Sequence, residues 1–254
     1  MPFAAMDASQ PALLVEEQSD RVIATLHRPE KRNAIDQALI DEIHALCEKL
    51  EAEPRTLIIT GSGGTFAAGA DIAQLRDRGA EEALKGINTH AFIRVRQLPM
   101  PVIAVVDGYA LGGGAELAYA ADIRIGTPST KVGNPETALG IIAPAGATWR
   151  LREIIGEPLA AEVLLTGRIL DAQECLASGL ITHLEAPDAA MSRAHETADR
   201  IARLSAAATQ AMKRMMLAPA SAHPEADLQE QSVLFESADK HERMTAFLER
   251  KAKR

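Results

Sequence analysis

Between residues 13 and 185, short apolar runs take turns with longer stretches of helical periodicity, and glycine clusters mark several of the changeovers. Leu13 to Glu16 and Val22 to Leu26 alternate in polarity on either side of Gln18-Ser19-Asp20, which reads as a hairpin. Leu39, Ile43, Leu46 and Leu50 share one helical face over Asp36 to Leu50, with Asp36 placed to cap the first turn. Thr56 to Thr60 (TLIIT) is a buried strand closed by Gly61, Gly63 and Gly64. Leu84, Ile87 and Ala91 mark one further helix, ended by Pro99 and Pro101. A second buried strand, Val102 to Val106, leads through a glycine-rich turn into an apolar helix, Ala115 to Ala120. A third strand, Asp122 to Ile125, follows. Strands separated by helices have to pair in parallel, so the pattern demands an α/β sheet with crossovers. Past about residue 185 the strand signals stop. The remaining periodicity is helical over Ala190 to Leu204, Ala206 to Leu217, Ala226 to Ser237 and Met244 to Lys251, where Met212, Met215 and Met216 read as helix-packing residues. The expected organisation is an α/β core over residues 1–190 and a helical C-terminal region over 191–254.

Composition narrows the function classes. Two hundred and fifty-four residues suffice for one large domain, burying roughly three quarters of its unfolded surface. A net charge of -8 lacks the basic footprint that a general nucleic-acid binder needs, although a local basic patch could still hold a phosphorylated small ligand. Residues 1–10 carry no basic segment followed by an apolar one, and no apolar stretch reaches the roughly 20 residues of a membrane span, so a cytoplasmic protein is expected. Cys47 and Cys175 have neither CxxC nor Cys/His spacing and read as reduced, buried thiols. The seven histidines show no metal spacing, and no metal is assigned.

Two strand-to-helix junctions have one physical shape: Phe66 to Ile72 (FAAGADI) and Gly108 to Leu117 (GYALGGGAEL). Small residues there let a ligand approach the backbone, and the free amides of a helix start attract developing negative charge. Two such amides aimed at one point would stabilise an oxyanion. The same glycines could equally serve tight turns. Glu116 discriminates against a nucleotide loop, because a carboxylate just inside the helix would repel a phosphate, and neither the G-x-G-x-x-G register nor a Walker A sequence is present. A second carboxylate, Glu136, lies in Asn134 to Ile141 (NPETALGI); on its own it reads as a solvated or capping residue.

Together these stretches resemble the crotonase (enoyl-CoA hydratase/isomerase) family. Phe66 to Ile72 is similar to its first oxyanion signature, Ala104 to Asp122 to its second, and Gly133 to Leu151 (GNPETALGIIAPAGATWRL) to its second catalytic segment. Leu26 to Pro29 with Asn33 to Ile35 resembles its first loop, and Met244 to Arg250 its C-terminal helix. The likeness runs in order along nearly the whole chain. It implies a spiral of ββα repeats with a helical trimerisation region, and a homotrimer or dimer of trimers. It also implies an acyl-CoA substrate whose thioester carbonyl meets the amides of Ala70 and Gly113. Glu116 and Glu136 match the acid–base pair that adds water across a 2-enoyl-CoA double bond. Ala68, Asp71 and Ile72 would line the coenzyme path. Arg28 and Lys31, near Arg32, and Arg250 and Phe247, near Lys251, Lys253 and Arg254, would meet the adenosine phosphates, although surface basic clusters are also ordinary solvated faces. Coenzyme A comes with the substrate, so no separate cofactor is expected.

One departure bears on the chemistry. Where hydratases typically read Ile-Pro-Gly-Ala-Gly-Gly, this chain has Ile142-Ala143-Pro144-Ala145-Gly146-Ala147. The glycine whose amide helps hold the attacking water falls on Pro144, which has no N–H. Hydration leads the expectations, with double-bond isomerisation or a specialised acyl-CoA reaction second and a non-catalytic acyl-CoA binder third. A serine hydrolase is excluded by the lack of a G-x-S-x-G elbow.

Overall fold

The structure, a computed structural model, describes residues 11–252; Lys253 and Arg254 of the C-terminal basic cluster, and the N-terminal stretch read for a signal sequence, lie outside them. The chain opens with the expected hairpin, β1 (Leu13–Glu17) against β2 (Arg21–Leu26), in a register that sets Leu13 opposite Leu26. Helix α1 (Gln37–Ala52) follows, and the Asp36 side chain accepts from Leu39 N–H at 3.0 Å, so the expected cap is formed. Strand β3 (Thr56–Gly61) pairs parallel with β2.

A short helix that the sequence did not mark, α2 (Ile72–Arg76), comes next, and the single helix read around Leu84 to Ala91 is two: α3 (Ala80–Leu84) and α4 (Ile87–Gln97). Gly86 sits at φ 56, a left-handed turn that interrupts the helix, and Leu84 points to solvent at 86 % exposure while Ala91 is buried. Next come β4 (Val102–Val106), the three-residue β5 (Tyr109–Leu111), α5 (Gly113–Ala120), β6 (Ile123–Gly126) and β7 (Lys131–Gly133). A 3-10 turn (Pro135–Leu139) and a π-helical turn (Ala147–Leu151) lead into α6 (Arg152–Ile155), α7 (Glu157–Thr166), β8 (Ile169–Asp171), α8 (Ala172–Ala177) and β9 (His183–Leu184). Four helices close the chain: α9 (Pro187–Ala202), α10 (Ala206–Leu217), α11 (Glu225–Phe235) and α12 (Ala238–Ala252).

The main sheet has six strands in the order β1-β2-β3-β4-β6-β9, parallel from β2 onward. A smaller sheet, β5-β7-β8, was not foreseen, since three-residue strands are too short to show a period. Both faces of the main sheet are covered. Val22, Leu26, Leu57, Val102 and Ala104 join the large core under α1, α4 and α5, while Ile23, Ile58, Ile103 and Ile125 face Ala190, Ala194 and Ala198 of α9. That double burial explains why these strands read as continuous apolar runs. Residue 190 thus lies inside a helix that packs on the sheet. Cys47 and Cys175 are free and buried, and burial pushes both thiols up to about 12. None of the described helices is long and apolar enough to cross a membrane.

Candidate active site

The two glycine-rich junctions meet. Ala67 N–H donates to Tyr109 O at 3.0 Å and Leu111 N–H returns to Ala67 O at 3.0 Å, lacing the segment after β3 to β5. On its other side Ile35 N–H donates to Gly69 O (2.8 Å) and Asp71 N–H to Ile35 O (3.0 Å). These bonds hold residues 67–71 between the first loop and β5. The Ala70 N–H has no acceptor among the described residues, and neither does that of Gly113, the first residue of α5. A Cβ added to Gly113 would lie 3.9 Å from Ala70 N, so the two free amides are neighbours. Neighbouring free amides, one of them at a helix start, can hold a carbonyl oxygen as it gains charge.

Gly112 gives the turn its shape. Its φ of 53 and ψ of -125 are open to glycine at little cost, and a Cβ there would come within 3.0 Å of Glu136 Oε1. The same glycine junction therefore admits the second carboxylate.

Glu116 follows in the first turn of α5, which is buried along its whole length; Glu116 itself is 3 % exposed. Its Oε1 accepts from Ala145 N–H at 2.6 Å and Ala147 N–H at 3.2 Å. Burial pushes this carboxyl up to about 8, the two amides pull the other way, and the nearby Glu136 charge adds to the rise. Glu136 sits in the 3-10 turn, half-buried. Its Oε1 receives a long 3.4 Å contact from Asn134 Nδ2, and its Oε2 is buried with no partner among the described residues. Burial raises this carboxyl too. Asn134 is held in turn by the fully buried Tyr119, whose hydroxyl donates to Asn134 Oδ1 at 2.9 Å. A buried carboxylate oxygen without a donor is costly, and its natural complement is a ligand or a water.

The loop around Pro144 is arranged as its sequence requires. Pro144 offers no amide, and the flanking amides of Ala145 and Ala147 are both spent on Glu116 Oε1. The loop therefore orients a carboxylate. The carbonyl of Pro144 accepts from Thr89 Oγ1 at 3.4 Å, tying the loop to α4.

Of the residues read as coenzyme contacts, one group comes together and another does not. Ala68 N–H donates to Arg32 O at 3.0 Å, and Lys31 Nζ lies 3.5 Å from Asp71 Oδ2, so the first loop runs beside the Ala68–Ile72 turn. Asp71 spends its other oxygen capping α2, accepting from Ala73 N–H at 3.1 Å and Gln74 N–H at 3.4 Å, and these amides with Lys31 hold its carboxyl below the usual range. Ile72 is exposed. Arg28 turns inward, with Nη1 2.7 Å from both Asp36 Oδ2 and the Ala34 carbonyl. Arg250 and Phe247 stand exposed on α12, and the Arg250 Nε bond returns to Ala246 O of its own helix; within one chain they do not join the site.

Three parts of this arrangement escaped the sequence. Tyr119 lies three residues after Glu116, on the same helical face, and that spacing was a usable signal. Asn134 and the amides of Ala145 and Ala147 had none, because their partners are 15, 29 and 31 residues away.

Comparisons with known proteins point to one family. The enoyl-CoA hydratase/isomerase family profile matches residues 17–254. Probable enoyl-CoA hydratase echA8 of Mycobacterium bovis is 35% identical over 246 residues, spanning 94% of this chain and 96% of its own length. The 2,3-dehydroadipyl-CoA hydratase of Escherichia coli is 33% identical over 248 residues, with coverage of 94% and 96%. Among solved structures, an enoyl-CoA hydratase from Bacillus anthracis superposes with a TM-score of 0.89 at 31% identity, covering 94% of this chain and 96% of that one. Sequence, fold and the meeting of the two glycine junctions converge, and the chain belongs to the enoyl-CoA hydratase/isomerase family.

Proposed function

We propose that this protein is an enoyl-CoA hydratase in which Ala70 and Gly113 amides receive the thioester oxygen and Glu116 and Glu136 handle the protons. The observation that carries this reading is a pair of carboxyls, Glu116 buried and Glu136 half-buried with an orphaned buried oxygen, set beside two unspent amides. In hydration the water oxygen bonds to Cβ, the Cα–Cβ π electrons pass into the thioester as an enolate, and the two amides stabilise the oxygen that carries the charge. One carboxylate takes the water proton and a carboxyl returns a proton to Cα, so the sum is one water added. A single missing oxyanion donor typically costs about 10²–10³ in rate. Burial raises both carboxyls, and the Glu136 charge raises Glu116 further. The reaction is redox-neutral and consumes only water, so its chemistry calls for no cofactor beyond the coenzyme A of the substrate.

Ala68, Asp71, Ile72 and Lys31 would line the coenzyme path, with Arg28 behind them. Arg250 and Phe247 would reach the adenosine end from a neighbouring subunit of a homotrimer or dimer of trimers. Exposed Leu228, Val233, Phe235, Met244 and Leu248 on α11 and α12 supply apolar surface for that assembly. A cytoplasmic setting fits this chemistry.

The test is the ultraviolet absorbance of crotonyl-CoA, which falls as water adds. Glu136→Gln is expected to lower kcat by about 10²–10⁴; full activity in that variant would remove Glu136 from the mechanism. Pro144 favours a second reading, movement of a double bond, because one expected water donor is absent. Turnover of a 3-enoyl-CoA without hydration of any 2-enoyl-CoA would select it.

A further inference from the structure

Helix α4 buries Ala91, Phe92 and Val95, and Asn88 lies one turn earlier on the same face. The pattern calls for an apolar side chain at 88. An amide stands there instead, half-buried and with no hydrogen-bond partner among the described residues. Its Nδ2 lies 3.2 Å from where a Gly113 Cβ would stand, and Ala70 N lies 3.9 Å from the same point. In a helix the Cα–Cβ bond leans toward the N-terminal end, where the first N–H groups are free, so a group beside that point is also beside the Gly113 amide. Covalent geometry keeps Asn88 Nδ2 within about 6 Å of Gly113 N, and an oxygen about 2.9 Å from each can stand between them.

The backbone that carries Asn88 is held in place. Gly86, at φ 56, lets α4 start at Ile87, and His90 N–H closes the first turn on Gly86 O at 2.9 Å. The neighbouring Thr89 donates from Oγ1 to Pro144 O at 3.4 Å, which ties this turn to the loop whose Ala145 and Ala147 amides hold Glu116. Helix α4 also packs on α5, the helix that begins at Gly113. A neutral donor suits such a place. Its N–H dipole favours an oxygen that gains charge, whereas a cation there would also pull down the carboxyl of Glu116, which burial holds up at about 8. A half-buried amide without a partner has its natural complement in an oxygen brought by a ligand.

We propose that the Asn88 side-chain amide is a third donor to the thioester oxygen, joining the amides of Ala70 and Gly113 as the enolate forms. The inference deepens the hydratase reading and rests on it for where that oxygen sits. Asn88 is in this role a catalytic residue, because it touches the oxygen that takes up the charge, and it moves no proton. Its hydrogen bond strengthens as the charge builds, so it acts on the transition state more than on substrate binding.

The experiment has two readouts: hydration of crotonyl-CoA, and enolisation of bound acetoacetyl-CoA, a β-keto thioester whose enolate absorbs in the ultraviolet. Asn88→Ala is expected to lower kcat about 10-fold to 100-fold, the worth of a charge-assisted hydrogen bond, with KM little changed. Asn88→Asp keeps the shape but sets a negative charge against the oxygen, and should be slower still. Acetoacetyl-CoA on the native protein should enolise at a pH about one to two units lower than on Asn88→Ala. An unchanged kcat in Asn88→Ala, a change in KM alone, or an Asn88→Asp variant faster than Asn88→Ala overturns the proposal. If no 2-enoyl-CoA is hydrated, the hydratase reading fails separately. Enolisation then still decides Asn88: a shift between native protein and Asn88→Ala supports the third donor, and no shift, or no enolate on either protein, overturns it.

Discussion

Glu116 occupies an unusual electrostatic position, buried to 3 % exposure, facing another carboxyl and yet receiving two backbone amides. With burial as the largest influence, its carboxyl titrates near about 8 in the folded chain, against an ordinary value of 4.5. The folded state therefore binds this proton more tightly than the unfolded state does. The sign follows: the carboxyl's contribution to stability is complete below pH 4.5 and is lost as pH rises toward 8. Glu116→Gln keeps an acceptor for Ala145 and Ala147 but has no proton to lose. The melting temperature of that variant, relative to the native protein, should rise steadily between pH 5 and pH 8. A difference independent of pH would mean that Glu116 is ionised throughout that interval.

At the scale of elements, helix α10 is fastened to the core by one buried ion pair. Lys213 Nζ lies 2.7 Å from Asp122 Oδ2 and 3.0 Å from the Met100 carbonyl, while Asp122 also accepts from Val102 N–H at 2.7 Å. Removing the carboxylate leaves an ammonium buried without a counter-ion and an amide at the start of β4 without that acceptor. Asp122→Ala is expected to cost about 3–5 kcal/mol in denaturant unfolding. Adding Lys213→Met should recover much of it, because the stranded charge goes as well. If the double variant is no more stable than the single one, the loss resides in the Val102 bond. Neither partner was marked by the sequence, since 91 positions separate Asp122 from Lys213.

For the whole molecule, the C-terminal helices raise the question of assembly. Leu228, Val233 and Phe235 on α11 and Met244, Phe247 and Leu248 on α12 are all exposed in the isolated chain, although α12 sets its three among charged residues. Surface of this kind is ordinarily covered by another subunit. Sedimentation equilibrium is expected to give three or six copies, and Phe247→Asp should shift the distribution toward smaller species while weakening coenzyme A ester binding. A native monomer with full affinity would count against a site completed across subunits.

The long apolar strands, the α1 cap and the glycine junctions were legible from residue order, because periodicity and turn chemistry are local properties, whereas Glu136 by itself read as a solvated or capping residue and entered the site only through the resemblance to the family. Also legible was the absence of an amide at Pro144, which follows from its covalent structure. Pairing across the fold was not legible. The β5-β7-β8 sheet, the spending of the Ala145 and Ala147 amides on Glu116, and the approach of Arg96 to Glu153 join residues whose sequence separations carry no period. Residue order can name the groups a site will use; which oxygen each amide serves, and which carboxylate each cation meets, depends on how the elements pack, since hydrogen bonds and charges act over a few ångströms of space.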